Sequence, residues 1–408
     1  MNKKCESIIK GILVVTMAGS LGILGVLPKA IAAGNTDYSH LNTSAQMVSS
    51  AQSVPLTTID GKSRFQSLNN GWKFNLGDIS GAQATAYNDA KWRTVDIPHD
   101  YSIEQPFSKS MEGESGYLPG GVGWYRKSLN LPSELQHKRI KLSFDGIYMD
   151  ATIYVNGTEL ANHPYGYTPF SMDITDNVKF GENNVIAVKV NHQTPSSRWY
   201  SGSGIYRDVD LVITDPIHIA SSGVKITPKN IDTYTEAGSL DLDLSTKIIN
   251  AAASPKTITL RHTISPKTGG NSIGTVTSTP ITVEAGKSLT NSTALSAQSP
   301  QLWTIEKPVQ YLVKTEVFEG SRLLDTLETN TGFRQLTFDP NTGFALNGKK
   351  MKLKGVSMHH DQGALGAKAY RDAIARQIDI LKKMGANTIR ITHNPASRDL
   401  IDLANQKG

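Results

Sequence analysis

A chain of 408 residues is too long for one ordinary domain and leads to an expectation of two to four. Its 38% hydrophobic and 19% charged residues describe a soluble globular protein and exclude the disordered and fibrous classes. The net charge of +6, with an isoelectric point of about 9.1, would suit an anionic partner. Half of that excess, however, sits in residues 1–32, where Lys3, Lys4, Lys10 and Lys29 face only Glu6. Elsewhere the basic residues occur as isolated pairs and triplets, which argues against a nucleic-acid partner.

The first residues carry the pattern of an export signal. "MNKKCESIIK" is a basic start, "GILVVTMAGSLGILGVL" (11–27) an uncharged core, and "AIA" (30–32) a small-x-small cleavage site. A signal peptide over 1–33, cleaved after Ala32 or Ala33, is expected, and with it a secreted or cell-surface product with no membrane partner. A membrane anchor is disfavoured, because the 17-residue core is at the lower limit for spanning and is diluted by Gly, Ala and Ser. The single cysteine, Cys5, lies inside the signal, so the mature chain has no disulfide and its cores must suffice alone. Residues 34–55, rich in Ser, Thr, Asn and Gln, read as a flexible leader.

From 56 to 215 short β-like runs alternate with turn residues, among them "RIKLSFDGIYMDATIYVNGTEL" (139–160), "NNVIAVKV" (183–190) and "YRDVDLVIT" (206–214). Asn156-Gly157 between apolar alternations is a strong hairpin signal. No helical stripe interrupts the region, which predicts a β-sandwich of jelly-roll type. Residues 216–333 repeat the period-two pattern in "SLDLDLSTKIIN" (239–250), "KTITLRHTI" (256–264) and "VQYLVKTEVFEG" (309–320). About seven strands in little more than a hundred residues predict an immunoglobulin-like sandwich.

After Phe333 the pattern changes. "KKMKLKGVSMHHD" (349–361) reads as a strand, and "AYRDAIARQIDILKKMG" (369–385) as an amphipathic helix with Ile374, Ile378, Leu381 and Met384 on one face and Gly385 at its end. "NTIRITHNP" (387–395) is a strand again, and "SRDLIDLANQKG" (397–408) starts a helix capped by Ser397. Strand–helix–strand–helix with short links predicts parallel βα units, here the first two of a (β/α)8 TIM barrel over 334–408. In such an array functional groups gather at the C-terminal strand ends, where "HHD" (359–361) and "HNP" (393–395) stand. Asn394 precedes Pro395 and so leaves the strand extended.

With these blocks in place the chain resembles glycoside hydrolase family 2, and within it the secreted Gram-positive β-galactosidases. "IPHDYSI" (97–103), "GGVGWYRKSLNLP" (120–132), "FDGIYMDATIYVNG" (144–157), "SSRWYSGSGIYRDV" (196–209) and "NTIRITHNP" carry the resemblance in order over nearly all of 56–408. The implied order is a sugar-binding jelly roll, an immunoglobulin-like sandwich and a barrel. The implied reaction is retaining hydrolysis of terminal β-galactosides by two glutamates from barrel strands 4 and 7, which stand ~5–5.5 Å apart in such enzymes. A barrel takes ~250 residues. Only 75 follow Phe333. Neither catalytic glutamate is therefore expected in this chain, which reads as the truncated N-terminal part of the enzyme, inactive alone.

The resemblance assigns supporting roles to residues that are present. Arg390 matches an arginine set against the nucleophile, where a fixed cation favours the ionised carboxylate. His393 matches a histidine that hydrogen-bonds sugar hydroxyls, and His359 the first residue of a sugar-contacting element. Asn394 stands where a tyrosine is common. Asp100, after His99, falls where the jelly roll reaches toward the sugar, and Trp199 and Tyr200 are candidate stacking groups, one of them expected to serve packing instead. A zinc site at "HHD" is disfavoured because adjacent strand residues face opposite ways. The family uses Mg or Na ions, but no such site is identifiable here, and Arg198 stands where some members have a sodium-binding aspartate. The implied partner is a β-galactoside oligosaccharide or glycan. Alternatives are a β-glucuronidase or β-mannosidase of the same family, or a non-catalytic glycan-binding surface module.

Overall fold

The computed structural model describes residues 57–408 except Asp60 and Lys62; the expected signal peptide and the whole of the leader lie outside the described residues. The first sandwich pairs a seven-stranded and a four-stranded sheet. The larger runs Arg93–Val95, Trp72–Leu76, Gly121–Asn130, Asn183–His192, Ala151–Val155 and Thr158–His163, with Thr57–Thr58 parallel to Gly121–Asn130. The smaller runs Phe65–Ser67, Val209–Thr214, Arg139–Phe144 and Phe170–Asp173. Strict alternation decides the inner face: Ile140, Leu142 and Phe144 are buried while Arg139, Lys141 and Ser143 are half-exposed. Asn156 and Gly157 form the expected tight hairpin, both at positive φ (50° and 85°), with Val155 opposite Thr158.

The second sandwich sets Ile217–Pro228, Ser239–Asn250 and Ser288–Gln298 against Gly274–Thr277, Lys256–Pro266, Tyr311–Glu319 and Arg322–Thr331, with Ile281–Val283 beside Lys256–Pro266. Its inner residues form two apolar clusters, one around Leu242, Val313 and Phe333, the other around Ile219, Leu260 and Val317.

The remaining residues give a small antiparallel sheet (Leu336–Asp339, Gly343–Leu346, Lys349–Lys350), then β1 (Gly355–Met358), α1 (Arg371–Lys383), β2 (Thr388–Ile391) and α2 (Arg398–Lys407). β1 and β2 are parallel, with Ser357 opposite Arg390. The expected strand over 349–361 is thus divided: Lys349–Lys350 closes the small sheet and only Gly355–Met358 enters the barrel. Asn387 explains the interruption. Its side chain accepts from the Lys354 amide and donates to the Lys352 carbonyl, taking the place of ladder partners.

Ile374 and Ile378 of α1 pack with Leu400 and Leu403 of α2, and Met358 and Ile389 meet the same cluster from the strands. Met384, expected on the buried stripe, is 67% exposed. It is the C-cap residue, and the chain reverses at Gly385 (φ 92°), so the stripe ends one turn early. The Ser397 side chain caps α2 by accepting from Leu400 N at 3.3 Å. Ile378→Ala is expected to cost ~2–4 kcal/mol in local stability, whereas Met384→Ala should change it by less than ~0.5 kcal/mol. Native-state hydrogen exchange of the α1 amides checks the pair.

Candidate active site

Alternation along β2 sends Ile389 to the helices and Arg390, with its partner Ser357, to the opposite face. Arg390 is exposed and, among the described residues, its side chain makes no hydrogen bond or ion pair. Just past the strand ends, His359 and His393 meet edge to face, ring centres 5.7 Å apart at 89°. Trp199, from the jelly roll, completes the group at 5.2 Å from His359 and 5.4 Å from His393. Its indole is held from the polar edge: Nε1 donates to Tyr167 Oη at 3.1 Å, and that hydroxyl shares a 2.9 Å hydrogen bond with Ser201 Oγ. Asn394 accepts from Tyr165 Oη at 3.1 Å. The Nδ1 of His359 and the Nδ2 of Asn394 are buried without a protein partner. Three rings and two unmatched polar atoms therefore converge where the two strands end.

The adjacent histidines separate as strand alternation requires. His360 turns inward between Tyr167 and Tyr206, at 5.3 and 5.6 Å, and its Nε2 donates to the Ser201 carbonyl at 3.1 Å. Burial pushes its pKa down to about 4, so the ring is neutral.

Asp100, expected to meet the sugar, does not reach an opening. Its carboxylate is fully buried and accepts from four donors: Ser102 N (3.0 Å), Ser203 N (2.9 Å), Tyr200 Oη (2.5 Å) and Ala367 N (2.8 Å). A carboxylate taken out of water must be matched in this way, and the match leaves no lone pair for a hydroxyl. A Cβ on Gly202 or Gly366 would run into this carboxylate, which gives the "GSG" glycine its reason. Tyr200 is consequently a strut. Burial and then the Asp100 charge push its phenol far above the ordinary range. Of the two aromatics, Trp199 is the one facing the strand ends. His99 is likewise buried, bonded to Tyr125 Oη at 2.7 Å and to Glu104.

Several interface residues carried no signal in the sequence. Arg207, 1% exposed, donates to the Pro395 carbonyl at 2.8 Å and the Tyr167 carbonyl at 3.2 Å, so the jelly roll grips the turn carrying His393 and Asn394. Arg398, at the start of α2, pairs with Asp210 and Asp208 at 3.0 and 3.3 Å. They sit inside "YRDVDL" and at a helix start, where exposed charges are ordinary, so only their partners across the interface reveal them.

Among the described residues no three His, Cys, Asp or Glu side chains converge as a metal site. At the position of the family's sodium-binding aspartate the Arg198 guanidinium lies 6.0 Å from the Trp199 ring. A fixed guanidinium there does not fit a bound sodium ion.

Two β-sandwiches followed by two parallel βα units with polar strand ends make a multidomain architecture in which a site can form between sandwich and barrel. The comparisons agree: "Glycosyl hydrolases family 2, sugar binding domain" matches residues 65–216, "Glycosyl hydrolases family 2" 217–334, and "Glycosyl hydrolases family 2, TIM barrel domain" 340–408. The chain belongs to glycosyl hydrolase family 2. A β-galactosidase of Bacteroides ovatus, BoGH2A, is 39% identical over 84% of this chain and 40% of its own length. A putative β-glucuronidase of Formosa agariphila is 32% identical over 84% and 32%. Among solved structures, a family 2 member from Bacteroides cellulosilyticus superposes with a TM-score of 0.81 at 37% identity, covering 85% of this chain and 45% of that one. The Bacteroides uniformis β-glucuronidase gives 0.74 at 32%, covering 84% and 41%. The chain thus spans about 40% of the B. ovatus relative.

Asp100→Ala strands four donors and is expected to cost at least ~3 kcal/mol of stability, read as a lower unfolding midpoint. The His360 pKa lies below its ordinary 6.5. The stability this represents is full above pH 6.5 and is lost toward pH 4, at ~1.4 kcal/mol per pH unit. His192 and His262, also held at about 4 by burial, add the same sign. His163 and His218, also lowered by burial, act in the same direction, so His360→Gln should flatten the acid-side slope in a denaturation series from pH 7 to 4.5 without abolishing it.

Proposed function

We propose that the chain is the N-terminal portion of a secreted or cell-surface retaining exo-β-galactosidase acting on terminal β-galactosides, and that it supplies one wall of the sugar site. The observation that carries this is the convergence of Trp199, His359 and His393 where β1 and β2 end. An indole face suits the apolar face of a pyranose, and imidazole nitrogens suit its hydroxyls. Arg390, unpaired on the face away from the helices, suits the place beside a nucleophilic carboxylate. The 39% identity to a β-galactosidase supports the choice of sugar.

The roles follow from chemistry. Trp199 stacks on the galactosyl ring, with its edge anchored through Tyr167. His393, exposed where β2 ends, exchanges hydrogen bonds with hydroxyls through its imidazole, and His359 supports it from beneath in edge-to-face contact. Arg390 holds the nucleophile's carboxylate ionised. The two glutamates that the family places on barrel strands 4 and 7 are not among the two strand–helix units of this chain, so the chain binds sugar without cleaving it.

A uronic-acid substrate is a second reading, favoured by the exposed Arg198 guanidinium beside Trp199, which would suit a C6 carboxylate. Saturation-transfer NMR of the chain with methyl β-D-galactoside and methyl β-D-glucuronide separates the two. Transfer to the galactoside, abolished in Trp199→Ala, is expected; preferential transfer to the glucuronide, lost in Arg198→Ala, would move the assignment to a glucuronidase. In either case turnover of an aryl β-galactoside by the 408-residue chain should be at the level of buffer, and rates comparable with whole relatives would overturn the division of roles.

A further inference from the structure

Five residues around the ends of β1 and β2 each keep a polar atom buried without a protein partner: Arg207 Nε, His359 Nδ1, Gln362 Oε1, Thr392 Oγ1 and Asn394 Nδ2. Their other bonds show why these atoms are left over. The terminal nitrogens of Arg207 are committed to the Asp145, Tyr167 and Pro395 carbonyls, so only Nε remains. Asn394 Oδ1 is taken by Tyr165, which leaves Nδ2. Thr392 gives its amide to the Met358 carbonyl at 3.0 Å, and its hydroxyl has no bond. Arg207 and Thr392 are only 1% and 4% exposed, so bulk solvent does not meet the need.

All five residues line one cavity of about 30 Å³ beneath the strand ends. A water molecule needs ~10–15 Å³ of such space and two to four polar partners. Both conditions are met, with room for ~1–2 waters. The helix side of the lining, with Met358, Ile374 and Leu400, is apolar.

The mix of donors and acceptors selects the occupant. Arg207 Nε and Asn394 Nδ2 only donate, Gln362 Oε1 only accepts, and the Thr392 hydroxyl and an imidazole nitrogen do either. A cation would face the Arg207 charge, with no Asp or Glu among the described residues of the lining to balance it. An anion would face the Gln362 oxygen. A small molecule that both donates and accepts satisfies the whole set.

We propose that this cavity is a built water site, whose water bridges Gln362 and Thr392 to His359 and Asn394 and fixes the two strand ends from beneath. Gln362 and Thr392 are then positioning residues that act through water. His359 passes the constraint on, since its ring meets His393 at 5.7 Å and Trp199 at 5.2 Å. The consequence for sugar binding rests on the galactoside reading of that group; the water site does not.

Oxygen-17 relaxation dispersion of the full chain counts its long-lived internal waters. The double variant Gln362→Leu, Thr392→Val, close to the native shape, should lose at least one of them. Thr392→Ser, which keeps the hydroxyl, should lose none. An unchanged count in the double variant overturns the site. Crystals of the native chain under xenon pressure give a second test that needs no variant. Xenon fills dry apolar cavities. Ordered water beside Thr392 supports the site, and xenon there overturns it. The positioning role is read separately, by saturation transfer to methyl β-D-galactoside. Transfer should fall at least twofold in the double variant and hold in Thr392→Ser. Water lost with transfer unchanged overturns the positioning role. Silence of the galactoside in the native chain overturns the galactoside reading instead, and the water count still decides the site.

Discussion

The buried carboxylate of Asp100 is the constraint on which the rest of the site depends. Its four donors come from its own segment, from the strand-connecting stretch 200–203 and from the barrel at Ala367. A charge out of water is tolerable only when its lone pairs are met, and removing any one donor leaves a penalty of ~1–3 kcal/mol. The jelly roll and the first barrel loop are therefore locked at one point. Gly202 and Gly366 follow as a consequence, since a side chain at either would displace the carboxylate.

From that point the other contacts set the ends of the barrel strands. His360 ties β1 to the Ser201 carbonyl; Arg207 ties the turn after β2 to the jelly roll through Pro395; Arg398 ties the start of α2 to Asp208 and Asp210. These polar contacts hold His359 and His393 within ring contact of Trp199, which itself arrives from the other domain. A two-stranded parallel sheet has little to rigidify it by itself. Here the sandwich does so.

Period-two and period-three-to-four patterns made the three architectural layers legible in the sequence, down to the Asn156-Gly157 hairpin and the Ser397 cap. Both signals are local, and local signals survive folding. The failures were of another kind. The break at residues 351–354 depends on Asn387, more than thirty residues away, supplying backbone-like hydrogen bonds. Met384 left the buried stripe because the helix ends there. Arg390, His359 and His393 were legible as polar residues at the strand ends, and their roles as what the family resemblance implies; that Trp199, and not Tyr200, meets the two histidines is seen only in the structure. Asp100 was expected near the sugar, and the structure places its carboxylate buried among four donors. Sequence position places a carboxylate near a site but does not reveal whether its lone pairs are already taken, and Arg207 and Arg398 are indistinguishable from surface charges until their partners are seen.

Hydrogen exchange at three amides tests the Asp100 lock most directly. Ser102, Ser203 and Ala367 donate to one carboxylate although they lie in two domains. Their amides should exchange together, with the protection of the jelly-roll core, and lose it together in Asp100→Ala, which removes both acceptor oxygens. If the Ala367 amide instead exchanges rapidly with the barrel strands while Ser203 stays protected, the barrel ends are not held by the jelly roll, and the shared site built from Trp199, His359 and His393 has no anchor.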